Sequence, residues 1–124
     1  MAKILVVDDE FQMRRLLRLA LERHGHTVDE AADGSEALRR FAERQPDLVI
    51  TDLVMPEKEG IETIQALRRK CPAIPIIAIS GGGRVGPENY LSMAGQMGAN
   101  RSFAKPFSLE EILTAVQELT SETA

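Results

Sequence analysis

Five short apolar runs punctuate the chain. They are Ile4-Leu5-Val6-Val7 within residues 3–8, a weaker run over 26–32, Leu48-Val49-Ile50, a run over 74–80 and a brief one over 101–104. Short runs of this kind, partly β-branched and bounded by turn residues, predict strands buried on both faces. Between them, apolar residues recur at helical spacing. Met13, Leu16, Leu17, Ala20, Leu21 and His24 form one stripe, with Arg14, Arg15, Arg18, Glu22 and Arg23 opposite as a solvated face. Gly25 stops that helix. Asp33-Gly34-Ser35 turns into a second helix, whose stripe is Ala37, Leu38, Phe41 and Ala42. A third, over 60–71, carries Ile61, Ile64, Leu67 and Cys71 on one side, which makes Cys71 a core thiol, and Pro72 and Pro75 end the pattern. Pro87 suits the first turn of a fourth helix reaching residue 97, with Gly98 as its stop. Ser108 and Glu111 form a capping box ahead of a last helix, which buries Leu109, Ile112, Leu113, Val116 and Leu119.

Strands alternating with helices predict a parallel sheet covered on both faces and joined by right-handed crossovers. The expected fold is therefore α/β, a doubly wound (flavodoxin-like) five-stranded parallel sheet in the order 2-1-3-4-5 with five helices. A length of 124 residues fits one domain, 1–124, with a core of its own. A single cysteine excludes an internal disulfide framework and fits a reducing, cytoplasmic setting. No run is long enough to span a membrane, and Met-Ala-Lys followed at once by a strand is not a signal peptide. A net charge of −4 argues against general nucleic-acid binding, which draws on a basic surface. The chain ends soon after its last helix, so no effector domain is expected on it.

Parallel strands end on one rim, the side where open α/β sheets bind ligands. Asp8 and Asp9 close the first run, Asp52 the third, Ser80 the fourth and Lys105 the fifth. A carboxylate at the end of a buried strand is costly without a partner; alone, Asp52 could simply cap the following turn. With the strand order above, three carboxylates converge. At about 4 Å and an effective dielectric near 20, each pair repels by roughly 4 kcal/mol. Protonating one carboxyl relieves this, and a hard divalent cation with oxygen ligands relieves it better. Magnesium suits because it needs few carboxylates, keeps waters and accepts phosphate oxygens. The Ser80 hydroxyl and the Lys105 ammonium supply donors for a tetrahedral anion. Together these parts suit phosphoryl transfer to a carboxylate nucleophile.

The motifs Ile4-Leu-Val-Val-Asp8-Asp9-Glu10, Asp33-Gly-Ser-Glu-Ala-Leu38, Asp47-Leu-Val-Ile-Thr-Asp52-Leu-Val-Met-Pro56, Gly60, Ile76-Ile-Ala-Ile-Ser80-Gly81, Gly98-Ala99 and Lys105-Pro-Phe107 occur in that order. In this set the chain resembles the receiver domain of two-component response regulators, and in size the single-domain chemotaxis type. The resemblance implies that Asp52 accepts a phosphoryl group from a histidine kinase or histidine phosphotransfer protein. It implies Mg2+ ligated by Asp9, Asp52 and the backbone carbonyl of Val54, with Asp8 acting through water. Lys105 would pair with Asp52 and then with the phosphoryl oxygens, and Ser80 would swing to bond the phosphoryl group. No enzymatic turnover is implied beyond self-phosphorylation from a donor and self-dephosphorylation. The signal would leave by contact with a downstream protein through the surface of the fourth helix, fifth strand and last helix. The domain would act as a monomer or weak dimer, without direct nucleic-acid contact or membrane insertion.

Two departures qualify the resemblance. Ser102 stands three residues before Lys105, where the family usually has Tyr or Phe, and Phe103 cannot stand in because adjacent strand residues face opposite sides. The loop after Ser80 is glycine-rich and longer than usual, so it is expected to be mobile. Three rivals fit less well. Gly81-x-Gly83-x-x-Gly86 formally matches a dinucleotide fingerprint but follows the fourth strand, with no ribose-binding acid near Asn100. An aspartyl-phosphate phosphatase would carry an acid where Val54 stands. A phosphorylation-independent module of receiver shape would have no use for the intact set Asp8, Asp9, Asp52, Ser80 and Lys105.

Overall fold

A computed structural model describes residues 2–52, 59–80, 99–104 and 107–121, with the backbone alone at 59–61, 80 and 121. Five strands, β1 (Lys3–Val7), β2 (Thr27–Ala31), β3 (Leu48–Asp52), β4 (Ile76–Ser80) and β5 (Arg101–Ala104), form one sheet in the order β2-β1-β3-β4-β5. Every neighbouring pair is parallel. Among the described residues four helices cover it: α1 (Phe11–Arg23), α2 (Gly34–Glu43), α3 (Glu59–Lys70) and α4 (Leu109–Ser121). The helix expected over 87–97 and the glycine-rich loop before it lie outside the described residues.

The continuous apolar strands are explained by what lies on each side of them. Ile4, Val6, Leu48, Ile50, Ile77 and Ile79 point to one face and pack with Leu17 and Leu21 of α1 and Ile112, Val116 and Leu119 of α4. Leu5, Val7, Val49, Ile76 and Ala78 point to the other and pack with Ala37 and Phe41 of α2 and Ile64 and Leu67 of α3. Alternate residues of one strand therefore serve two cores, which leaves no face free for polar side chains.

The turns hold the strand starts level. Gly25, at φ 89°, ends α1 with the Schellman pattern: its N–H bonds to Glu22 O at 3.0 Å and that of His26 to Leu21 O at 3.2 Å. Asp47 clamps the start of β3 to β1, its Oδ2 accepting from Lys3 N at 2.8 Å and its N–H donating to Lys3 O at 2.7 Å. Asp33 caps α2 by accepting from Glu36 N at 2.8 Å, and Glu36 returns the favour to Ala32 N at 2.6 Å. Arg68 at the end of α3 bonds Pro72 O at 3.0 Å, Ile74 O, and Asn100 Oδ1 at 2.9 Å. Asn100 in turn accepts from Ile76 N at 2.9 Å, so one arginine ties α3 to the starts of β4 and β5.

Some expected core positions differ. Leu16 is 45% exposed and Ala42 is also exposed, so the buried stripes of α1 and α2 are narrower than their periodicity suggests. Cys71 is half-buried against the α2/α3 core, its sulfur 3.4 Å from the amide nitrogen of Gln45. Arg14 and Arg18 are not simply solvated, because both reach Glu30 on β2.

Candidate functional site

At the carboxyl rim, β1 and β3 run in register to Val7 opposite Thr51, which sets Asp8 level with Asp52. Asp8 continues toward β2, its N–H bonding to Ala31 O at 3.1 Å. Asp52 closes β3 beside Ile79 of β4. Asp8 and Asp52 are 2% and 4% exposed, whereas Asp9 is open to solvent. One carboxylate oxygen from each of Asp8, Asp9 and Asp52 lies within 4.8 Å of the other two. An adjacent pair, Asp8 and Asp9, and Asp52, 43 positions after Asp9, thus form one acid cluster with two of its three residues buried.

This donor set fits a hard cation. Three carboxylate oxygens so close repel by several kcal/mol at an effective dielectric near 20, roughly 4 kcal/mol for a pair at about 4 Å. Mg2+ takes oxygen ligands, needs few carboxylates and keeps several waters, so these three aspartates could hold it.

The other expected site residues are placed in part. Ser80 ends β4 on the same rim, its backbone in register with Ala104, the residue before Lys105. Val54 and Lys105 themselves lie outside the described residues. Ser102 pairs with Ala78, and Phe103 packs into the opposite, α1/α4 core. The aromatic ring thus sits across the sheet from the Ser102 side chain.

Residues 4–117 match the sequence model of the response regulator receiver domain. The chain belongs to that family. This receiver domain of the two-component response regulators is 41% identical over 117 residues to the transcriptional regulatory protein ResD of Bacillus subtilis (strain 168), a match covering 94% of this chain and 47% of ResD. It is 37% identical over 123 residues to the response regulator MprA of Mycobacterium sp. (strain KMS), covering 98% of this chain and 52% of MprA. The receiver domain spans about half the length of these curated relatives. Among solved structures, a response regulator receiver domain protein from Clostridium thermocellum superposes with a TM-score of 0.90 at 29% identity, covering 99% of this chain and 97% of that one. The chemotaxis protein CheY4 of Vibrio cholerae gives 0.84 at 32% identity, covering 96% and 98%. No helix among the described residues of the receiver domain is long and apolar enough to cross a membrane.

One contributor to the site was not read from the sequence. Arg14 Nη1 donates to the carbonyl oxygen of Asp8 at 2.7 Å while its Nε donates to Glu30 Oε1 at 3.1 Å. Arg18 Nη1 reaches Glu30 Oε2 at 2.9 Å. Burial disfavours the Glu30 carboxylate, but the hydrogen bonds from Arg18 and Arg14 outweigh it and hold its pKa below the ordinary value. The bonds of Arg18 to Glu30 and then to Glu22 raise the Arg18 pKa. The available signal was Glu30 itself, a charged residue inside a strand that faces arginines one helical turn apart.

Proposed function

We propose that this receiver domain accepts a phosphoryl group on Asp52 from a phosphohistidine of a histidine kinase or histidine phosphotransfer protein. The observation that carries the reading is the convergence of Asp8, Asp9 and Asp52, with Asp52 buried at the end of the central strand. In this reading Asp9, Asp52 and the Val54 carbonyl hold Mg2+ directly and Asp8 holds it through water. When bound, Mg2+ neutralises the clustered carboxylates and the oxygens of the incoming phosphoryl group. An Asp52 carboxylate oxygen forms the new bond to phosphorus. The histidine nitrogen leaves with the electron pair of the broken N–P bond and is then protonated. Lys105 and Ser80 bind the phosphoryl oxygens. The domain is not a turnover enzyme; its chemistry is self-phosphorylation and self-dephosphorylation.

Two surfaces support partner contact. Phe11, Leu16 and Leu19 are 56%, 45% and 53% exposed on α1, whose first residue follows Asp9 by two positions. Exposed apolar side chains on the helix that begins next to the acid cluster suit a protein donor. A cleft of about 460 Å3 between β5 and α4, lined by Arg101, Phe103, Glu111, Thr114 and Glu118, suits the downstream target. Incubation with acetyl phosphate or phosphoramidate and Mg2+ tests the chemistry. Wild type should gain one base-labile phosphoryl group and Asp52→Asn none. Labelling of the variant would name another acceptor.

A further inference from the structure

We infer that Arg14 is a positioning residue for the acid cluster: by holding the Asp8 carbonyl oxygen it fixes the peptide that aims Asp8 and Asp9 at one ion. This rests on the metal reading above. Consecutive side chains of an extended strand point to opposite faces. Yet Asp8 and Asp9 both bring an oxygen within 4.8 Å of Asp52. The chain has left β1 at Val7, and the peptide joining the two aspartates must be turned and then kept turned. Because that peptide is planar, the direction of its C=O sets ψ of Asp8 and φ of Asp9 together.

Three hydrogen bonds among the described residues help to hold this turn. Asp8 N–H donates to Ala31 O at 3.1 Å, Asp8 Oδ1 accepts from Glu10 N at 2.8 Å, and Asp8 O accepts from Arg14 Nη1 at 2.7 Å. The third is made by a side chain outside the acidic stretch. Arg14 is itself fixed, with Nε on Glu30 and its guanidinium carbon 5.5 Å from the centre of the Phe11 ring. Only 14% of either the Arg14 or the Glu30 side chain is exposed. A rigid planar fork presents donors to Glu30 and the Asp8 carbonyl at a fixed spacing, which an ammonium on a flexible stem does not.

Charge and position predict opposite results. Arg14 is a cation near a cation site, so if charge were its whole influence, removing it would tighten metal binding. If it positions Asp8 and Asp9, removing it loosens binding. The test is a calorimetric titration of the full chain with Mg2+ alone, comparing wild type, Asp9→Asn, Arg14→Met and Arg14→Lys, with a thermal melt of each in the absence of metal. Arg14→Met should bind Mg2+ about tenfold more weakly, the lower end for residues that orient metal ligands, and Arg14→Lys should fall between it and wild type. A merely structural role would lower the melting temperature and leave the affinity of the folded protein unchanged. Affinity equal to or tighter than wild type in Arg14→Met overturns the inference. Should that variant fail to fold, Arg14→Lys decides on the same two results. If wild type does not bind, or Asp9→Asn binds equally well, the metal reading falls and the inference with it. If Asp9→Asn loses binding while Arg14→Met keeps it, the inference alone falls.

Discussion

Glu30 Oε1 accepts from Arg14 Nε at 3.1 Å where β2 meets α1, and each side chain is only 14% exposed. Removing the acid leaves two guanidiniums facing a void, and a hydrogen bond to a charged group contributes about 1.5–3 kcal/mol. Glu30→Ala should therefore destabilise the domain by about 2 kcal/mol in urea unfolding at neutral pH. The carboxyl has a lower pKa folded than unfolded. Its stabilisation is present above the unfolded value near 4.5 and is lost as pH falls through the lower folded value. The gap between wild type and Glu30→Ala should narrow across that acid window; a gap independent of pH would contradict the pairing.

His26 gives a second, higher window. Its Nδ1 accepts from Ala2 N at 3.1 Å, which requires the neutral ring. Burial first, then the positive charges of the amino terminus and His24, lowers its pKa below 6.5. Unfolding then takes up a proton, so stability should decline as pH falls from 6.5 through the folded value. In His26→Gln, whose amide oxygen can take the same N–H, that slope should vanish from the pH dependence of unfolding. An unchanged slope would assign it to other groups.

The α2 cap makes a smaller, local claim. Asp33→Ala removes the acceptor of Glu36 N and should cost about 1 kcal/mol in the same unfolding experiment. Asp33→Asn, which keeps an acceptor oxygen, should cost little. Equal losses in both would point away from capping.

The sheet was legible because both of its faces are covered. Buried strands become unbroken apolar runs, and alternation with helices then implies parallel order and one shared carboxyl rim. Strand ends were read less well for local reasons. The run over 74–80 suggested an early start, but Pro75 has no N–H to give the ladder, and β4 begins at Ile76. In α1 the apolar stripe over residues 13–24 could not separate Leu17, which is buried, from Leu16, which lies about 100° away around the helix and is exposed. The convergence of Asp8, Asp9 and Asp52 follows from topology and could be anticipated. The support from Arg14 could not, because it depends on a pairing with β2 across a turn whose geometry the sequence pattern does not specify.

Lys105 and the acids should separate in function. In the proposed function the acids hold the cation, whereas the ammonium reads the phosphoryl group. Lys105→Ala should keep Mg2+ affinity in calorimetry yet weaken the phosphorylation-linked shifts of amide resonances. Loss of Mg2+ affinity in this variant would contradict the division.

The central claim is that Asp52 is the acceptor. Wild-type protein treated with acetyl phosphate and Mg2+, then reduced with borohydride, converts an aspartyl phosphate to homoserine, and peptide mass spectrometry locates it. The account predicts homoserine at position 52 and at no other acid; homoserine at position 8 or 9, with Asp52 intact, would contradict it.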